Sequence, residues 1–246
     1  MMLLGRRRRA RPPGPLRYLL WLLVALLGLM LAAVVAVLLY FARVDPPYGM
    51  AMVTATDRAA ASRHRPVWRS LDELPDAVLL AVIASEDQRF PRHRGFDWSS
   101  VRQALTDHAR GGRLRGASTI TQQTAKNLFL WHERSWLRKA LEAGLTVGME
   151  LLWSKERILE VYLNLAQWGP GIYGIENAAQ HYFDVPASEL TPQQAARLAA
   201  ILPSPGRLDP VTPGETLERR IAWIEEQMGV LGPGWLRPVR ESPEKH

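Results

Sequence analysis

The chain has 246 residues and a formal charge of +7, with 31 basic against 24 acidic side chains, 47% hydrophobic residues and no cysteine. Lacking cysteine, it has no disulfide framework, thiolate metal site or cysteine nucleophile. Arg6, Arg7, Arg8, Arg9, Arg11 and Arg17 carry nearly all the charge excess, leaving 25 basic against 24 acidic residues beyond them; a nucleic-acid-binding domain would keep a basic surplus there, so nucleic acid is not an expected partner.

Residues 1–17 are expected to be a basic cytoplasmic tail. Residues 18–41 hold no charged side chain, and 24 residues at ~1.5 Å each make about 36 Å of helix, enough to cross a bilayer with some tilt. The arginines precede this segment while Arg43 and Asp45 nearly cancel after it, which places the N-terminus in the cytoplasm. A cleaved signal peptide is the competing reading. Its apolar region usually runs only ~7–15 residues before a small-residue cleavage site, whereas Ala32, Ala33 and Ala36 lie inside the run and bulky Leu38, Leu39, Tyr40 and Phe41 follow. The expectation is a retained single-pass anchor, an external domain over 42–230, and a frayed tail over 231–246 rich in proline and glycine.

The external domain reads as helical. Apolar spacing predicts a helix over 75–85, and Asp97 is placed to cap one over 98–108. Residues 118–130 and 135–153 follow, the second behind a Ser cap, and Ser154 precedes a helix over 155–164. Thr191-Pro192-Gln193-Gln194 is a capping box with proline at the first helical position, and 216–230 forms the last helix. No alternating β-branched run is long enough to predict a sheet, so a mainly α fold is expected. Between helices, residues 110–116 are a glycine-and-arginine loop, which either flanks a binding cleft or is a plain solvated surface.

The chemistry concentrates between residues 86 and 127. Glu86 follows the apolar run Ala81-Val82-Ile83-Ala84, so its carboxylate emerges at the edge of the core, where it could act as a general base. By itself a Glu-Asp pair there reads more readily as a helix-end charge or salt bridge. His93 has no second His or Cys at ligand spacing and reads as a structural histidine fixing the loop around Glu86. Gln122 and Gln123 occupy neighbouring helical positions with Lys126 one turn beyond Gln122, offering amides and an ammonium to sugar hydroxyls and a phosphate. Arg134 follows. Arg138 and Lys139 lie four and three residues before Glu142, so one carboxylate can orient both cations, although an ordinary surface ion pair has the same spacing.

Taken together, Glu86-Asp87, Phe90, His93, Gly95 and Asp97, then Gly116-Ala117-Ser118-Thr119-Ile120-Thr121-Gln122-Gln123 with Lys126-Asn127, resemble the first two signature blocks of the peptidoglycan glycosyltransferases, glycosyltransferase family 51. Arg138-Lys139-x-x-Glu142 resembles the third block. Arg157-Ile158-Leu159-Glu160 with Tyr162-Leu163-Asn164 resembles the fourth, and Gly171, Gly174, Ala178-Ala179 and Tyr182-Phe183 the fifth. The last two blocks are mostly apolar and read as support for the cleft; Glu160 has no assigned role.

The resemblance implies a lysozyme-like, two-lobed helical domain behind one transmembrane helix in the bacterial inner membrane, with the catalytic domain periplasmic. It implies polymerisation of lipid II onto a glycan carried on undecaprenyl pyrophosphate, with inversion and release of the lipid pyrophosphate. Glu86 and Glu142 would be catalytic, Glu86 as general base. Asp87, Ser118, Thr119, Gln122, Gln123, Lys126, Asn127, Arg134, Arg138 and Lys139 would bind substrate. No cofactor is demanded. A divalent ion such as Mg²⁺ at the pyrophosphate fits general chemistry, with Glu142 either helping to hold it or orienting the cations. Bifunctional relatives carry a transpeptidase domain after this one; Ser242-Pro243-Glu244-Lys245 matches its Ser-x-x-Lys pattern by chance, so a monofunctional enzyme is expected. Other cell-wall synthesis or division proteins are the protein partners such an enzyme would meet. The alternatives are a lytic muramidase and a noncatalytic membrane-anchored scaffold.

Overall fold

The computed structural model describes residues 14–54, 66–111, 118–131, 133 and 135–241. In chain order these form α1 (Pro15–Phe41), the single turn α2 (Met50–Val53), α3 (Asp76–Glu86), α4 (Trp98–Ala109), α5 (Ile120–Phe129), α6 (Trp136–Leu152), α7 (Lys155–Leu165), α8 (Ile175–Phe183), α9 (Pro192–Ile201), α10 (Glu215–Leu231) and α11 (Arg237–Arg240). The mainly α fold is as expected. Between α7 and α8, β1 (Gln167–Gly169) and β2 (Ile172–Tyr173) pair antiparallel; strands this short carry no readable alternation.

Helix α3 is the axis of the domain. Every residue from 78 to 84 is buried, a pattern that only a helix surrounded on all sides sustains. α9 and α10 pack against it, while α5 packs between α6 and α7. The expected caps hold three of these helices in place, Ser135 on α6, Ser154 on α7 and Thr191 with Gln194 on α9, and a capping box that the sequence reading did not name, Thr119 with Gln122, opens α5. Helix α8, which periodicity did not single out, ends at Asp184 in the left-handed region.

Helix α4 stands off this core, with none of its described side chains buried. It is fixed at its start by Asp97, whose carboxylate accepts from the backbone amides of Ser99 and Ser100, both at 3.1 Å. Burial alone would raise the Asp97 pKa, but the Ser100 and Ser99 hydrogen bonds, with Arg89 nearby, bring it down to about 2.

Helix α1 has a mean hydropathy of 3.1 over its most apolar 18-residue window and is exposed along its length except near its end. It is long and apolar enough to cross a membrane. Its last turn is docked on the domain. Leu38 is buried, the Trp153 indole donates to its carbonyl at 2.8 Å, and Arg157 donates to the carbonyls of Phe41 at 3.1 Å and Val44 at 2.8 Å. The Phe41 carbonyl is one that the helix end leaves without an intrahelical partner, and a guanidinium there also suits the negative end of the helix dipole.

The segment after α10 does not fray as expected. Residues Pro233–Leu236 make a 3₁₀ turn that leads into α11, burying Leu236 and Val239. Trp235 donates to the Gln88 carbonyl at 2.8 Å, and Arg240 donates to the carbonyls of Leu71 at 2.8 Å and Leu74 at 3.0 Å. Pro233 and Pro238 sit in first turns, where proline is compatible with helix, so their presence does not signal disorder. The Ser242-Pro243-Glu244-Lys245 tail lies outside the described residues.

Candidate active site

Glu86 is the last residue of α3. An anion at the C-terminal end of a helix meets the negative pole of its dipole and needs compensation from elsewhere. Three side chains supply it. The Gln123 amide donates to Glu86 Oε2 at 2.9 Å, the Ser85 hydroxyl approaches Oε1 at 3.3 Å, and the Arg220 guanidinium stands 3.7 Å from Oε1. Arg220 is itself held by the Ala200 carbonyl at 3.1 Å and the Ser85 hydroxyl at 2.8 Å. Tyr162 donates to the Gln123 amide oxygen at 3.4 Å. Burial, with the charges of Glu86 and Asp87, pushes the Tyr162 phenol well above its ordinary range and keeps it a neutral donor.

The adjacent acid is used differently. Asp87 is buried, and its Oδ2 accepts from the Ile120 amide at 2.9 Å and from His93 Nε2 at 2.8 Å. An anion at the start of α5 is favourable, and it fixes that helix against the end of α3. His93 Nδ1 accepts from the Gly95 amide at 3.1 Å, which puts the ring proton on Nε2 facing Asp87. Gly95 has φ of 87°, and a Cβ there would come within 2.7 Å of Thr146, so no other residue fits. The Thr119 hydroxyl completes the frame by donating to the Gly95 carbonyl at 2.6 Å.

A cluster of cations forms the second part of the site. Lys126 is largely buried, and burial lowers its pKa; Glu142 and Glu86 oppose that shift, while Arg138 and Lys139 add to it. The five side chains therefore share one electrostatic neighbourhood. Buried Glu142 pairs with Arg138 at 2.7 Å and with Lys139 through its other oxygen. Lys126 has no ion-pair or hydrogen-bond partner among the described residues, and Arg138 Nε is buried without one. Unpaired buried donors are costly in a finished fold and are expected where a ligand completes them.

Glu86 and its partner Gln123 line two different openings. A cleft of about 690 Å³ is lined by Glu86, Asp87, Gln103, Asp107, Ser118 and Trp223, among others. On the far side of Gln123 a cavity of about 210 Å³ is lined by Lys126, Asn127, Tyr162 and Tyr173. A carboxylate held by neighbouring side chains thus opens on a polar cleft, while its partner Gln123 lines a cavity with an unpaired cation, an arrangement suited to taking a proton and stabilising a departing anion.

The transglycosylase family model matches residues 52–229, well over half of the chain. The chain belongs to the transglycosylase family. Among its relatives, a biosynthetic peptidoglycan transglycosylase of Marinomonas sp. (strain MWYL1) is 58% identical over 174 residues, 71% of this chain and 77% of that protein. Proteins of the same name from Xanthomonas campestris pv. campestris (strain B100) and Pseudomonas aeruginosa are each 48% identical, over 94% and 88% of this chain and 96% and 91% of their own lengths.

In this transglycosylase the residues singled out from sequence divide into three groups. Glu86, Gln123, Lys126, Asn127, Arg138, Lys139 and Glu142 come together around the carboxylate and the cations. Asp87, Thr119 and Gln122 are spent on the frame: Gln122 turns into the cap of α5, its side-chain oxygen accepting from the Thr119 amide at 3.1 Å. Lys126 is accordingly neighbour to Gln123 in the cavity, where the helical spacing had suggested Gln122. Ser118 lines the cleft, and Arg134 lies outside the described residues, as does most of the glycine-and-arginine loop. Glu160 is structural, accepting from the Leu71 amide at 2.9 Å and pairing with Arg157.

Sequence reasoning missed Arg220, Ser85 and Trp223. Arg220 and Ser85 are 135 residues apart, and nothing near Arg220 in the chain marks it, since Arg219 beside it forms an ordinary i, i+4 pair with Glu215. Among the described residues no group of three or more His, Asp or Glu side chains is placed to hold a metal ion. With both of its oxygens engaged by cations, Glu142 fits the role of orienting them and does not fit that of a metal ligand.

Proposed function

We propose that the chain polymerises lipid II into β-1,4-linked glycan strands in peptidoglycan synthesis, releasing undecaprenyl pyrophosphate with inversion at the donor carbon. The carrying observation is that Glu86 keeps an open edge to the cleft while Gln123 and Arg220 hold it and Lys126 stands unpaired nearby. Glu86 takes the proton from the acceptor's 4-hydroxyl as that oxygen bonds to the anomeric carbon, from the face opposite the leaving group. The bond from that carbon to the pyrophosphate oxygen breaks, and its electron pair leaves with the pyrophosphate. A pyrophosphate departs as a stabilised anion, so Lys126, Arg138 and Lys139 suffice where a glycosidase needs a carboxylic acid. Arg138 Nε is one donor that such an anion would satisfy.

The anchor serves the same reading. Both substrates carry lipid tails, and confinement to their membrane raises their effective concentration at the cleft. The arginines before α1 favour a cytoplasmic N-terminus and a periplasmic domain in the inner membrane. The docked end of α1 supports retention over cleavage, and α6, which α1 touches, exposes Leu137, Leu141, Val147 and Leu151. The test is product analysis with purified lipid II: polymer with release of lipid pyrophosphate is expected. Cleavage of mature strands without polymer would point to a muramidase, and no reaction on either to a scaffold.

A further inference from the structure

One face of α10 runs beside residues 85–88. Arg220 reaches Ser85 and Glu86, and Gln227, two turns on, accepts from the Gln88 amide at 3.2 Å. Trp223 lies between them, three residues after one and four before the other, and so shares their face. The adjoining face buries Leu217, Ile221, Ile224 and Met228, which fixes the helix on the core. Arg220 and Gln227 are thus spent on residues 85–88, and Trp223 is not.

Trp223 is 42% exposed and lines the 690 Å³ cleft, where it is the single aromatic ring among the described lining residues. Its indole N–H has no partner among the described residues. The tryptophans that serve the fold differ: Trp153, Trp168 and Trp235 each donate to a backbone carbonyl, at 2.8, 3.4 and 2.8 Å. Across the cleft, Gln103 and Asp107 sit one turn apart on α4, and Ser118 adds a hydroxyl.

A pyranose ring in a β-1,4-linked glycan has flat faces of C–H groups and an equatorial rim of hydroxyls and amides. An indole plane matches such a face by dispersion and by its negative π surface, and its N–H can serve the rim. We propose that Trp223 is the sugar platform of the cleft, stacking on the acceptor pyranose whose hydroxyl faces Glu86. This rests on the reading of Glu86 as the base. The contact is uncharged, so it contributes to seating the sugar and not to holding the pyrophosphate.

The test uses the full chain with Trp223→Ala and Trp223→Phe. In steady-state polymerisation, Ala should raise KM for lipid II about fivefold or more while changing kcat less than about twofold, and Phe should recover most of the loss. A β-1,4-linked amino-sugar oligosaccharide without lipid or pyrophosphate, added to protein carrying Glu86→Gln, should show saturation-transfer contacts that Trp223→Ala abolishes and Trp223→Phe retains. An unchanged KM, a Phe variant no better than Ala, or oligosaccharide contacts indifferent to Trp223 would overturn the assignment. Failure of the base reading is distinguishable, because Glu86→Gln would then polymerise whatever residue stands at 223.

Discussion

The Gln123 side chain donates to Glu86 Oε2 at 2.9 Å while accepting from the Tyr162 hydroxyl at 3.4 Å, so a buried phenol orients the amide that orients the carboxylate. Removing the amide should leave the fold intact and the carboxylate misdirected. Gln123→Leu is expected to lower kcat by about tenfold or more with little change in KM, as for loss of an interaction that matters in the transition state. A KM effect alone would assign Gln123 to ground-state binding.

Much of this arrangement was legible in the sequence. Caps at Ser135, Ser154 and Thr191 are local signals, and each opens a helix where its side chain predicts one. The partners of Glu86 were only half legible. Gln123 sits within a recognisable block, but Arg220 approaches through the packing of α10 on α3, which no local spacing encodes. Gln122 was misread for the same reason in reverse, since a capping box and a sugar-binding amide look alike until the side chain's direction is known. The 231–241 segment was misjudged because its prolines outweighed the apolar pair Leu236 and Val239, three residues apart.

Lys126 carries a cost that function explains. Burial lowers its pKa below the ordinary lysine value of about 10.4, so the unfolded chain holds this proton more firmly than the folded one. The group's contribution to stability therefore rises as pH climbs from the lowered value toward the ordinary one. Lys126→Met should flatten that alkaline trend and leave stability at neutral pH equal or higher, by up to about 2 kcal/mol, while polymerisation falls at least about tenfold. Thermal melts from pH 7 to 10 beside a polymerisation assay give the comparison; a less stable Met variant would contradict the burial argument.

Asp97 has the opposite sign. Its pKa is lowered to about 2, so the stability it confers is complete above the ordinary aspartate value of about 3.9 and is lost as pH falls from there toward 2. Asp97→Ala should cost about 1 kcal/mol at pH 7, the usual worth of an N-cap, and much less at pH 2. Urea melts at the two pH values would show whether the difference closes.

Arg157 ties the end of α1 to α7 through the Phe41 and Val44 carbonyls and pairs with Asp45 at 2.8 Å. Arg157→Met should release that turn, speeding amide hydrogen exchange at residues 42–45 by about tenfold while the amides of α3 stay protected. Uniform loss of protection across the domain would instead make Arg157 a general stabiliser.

The most direct measurement is polymerisation by Glu86→Gln. Glutamine keeps the size and polarity of glutamate but cannot take the acceptor's proton. The variant should melt at or above the wild-type temperature, because an anion at the C-terminal end of α3 has been removed. It should still bind lipid II and lose polymerisation by about 10²- to 10⁴-fold, the range a general base contributes. Polymer formed by Glu86→Gln at the wild-type rate would contradict the assignment of Glu86 as the base.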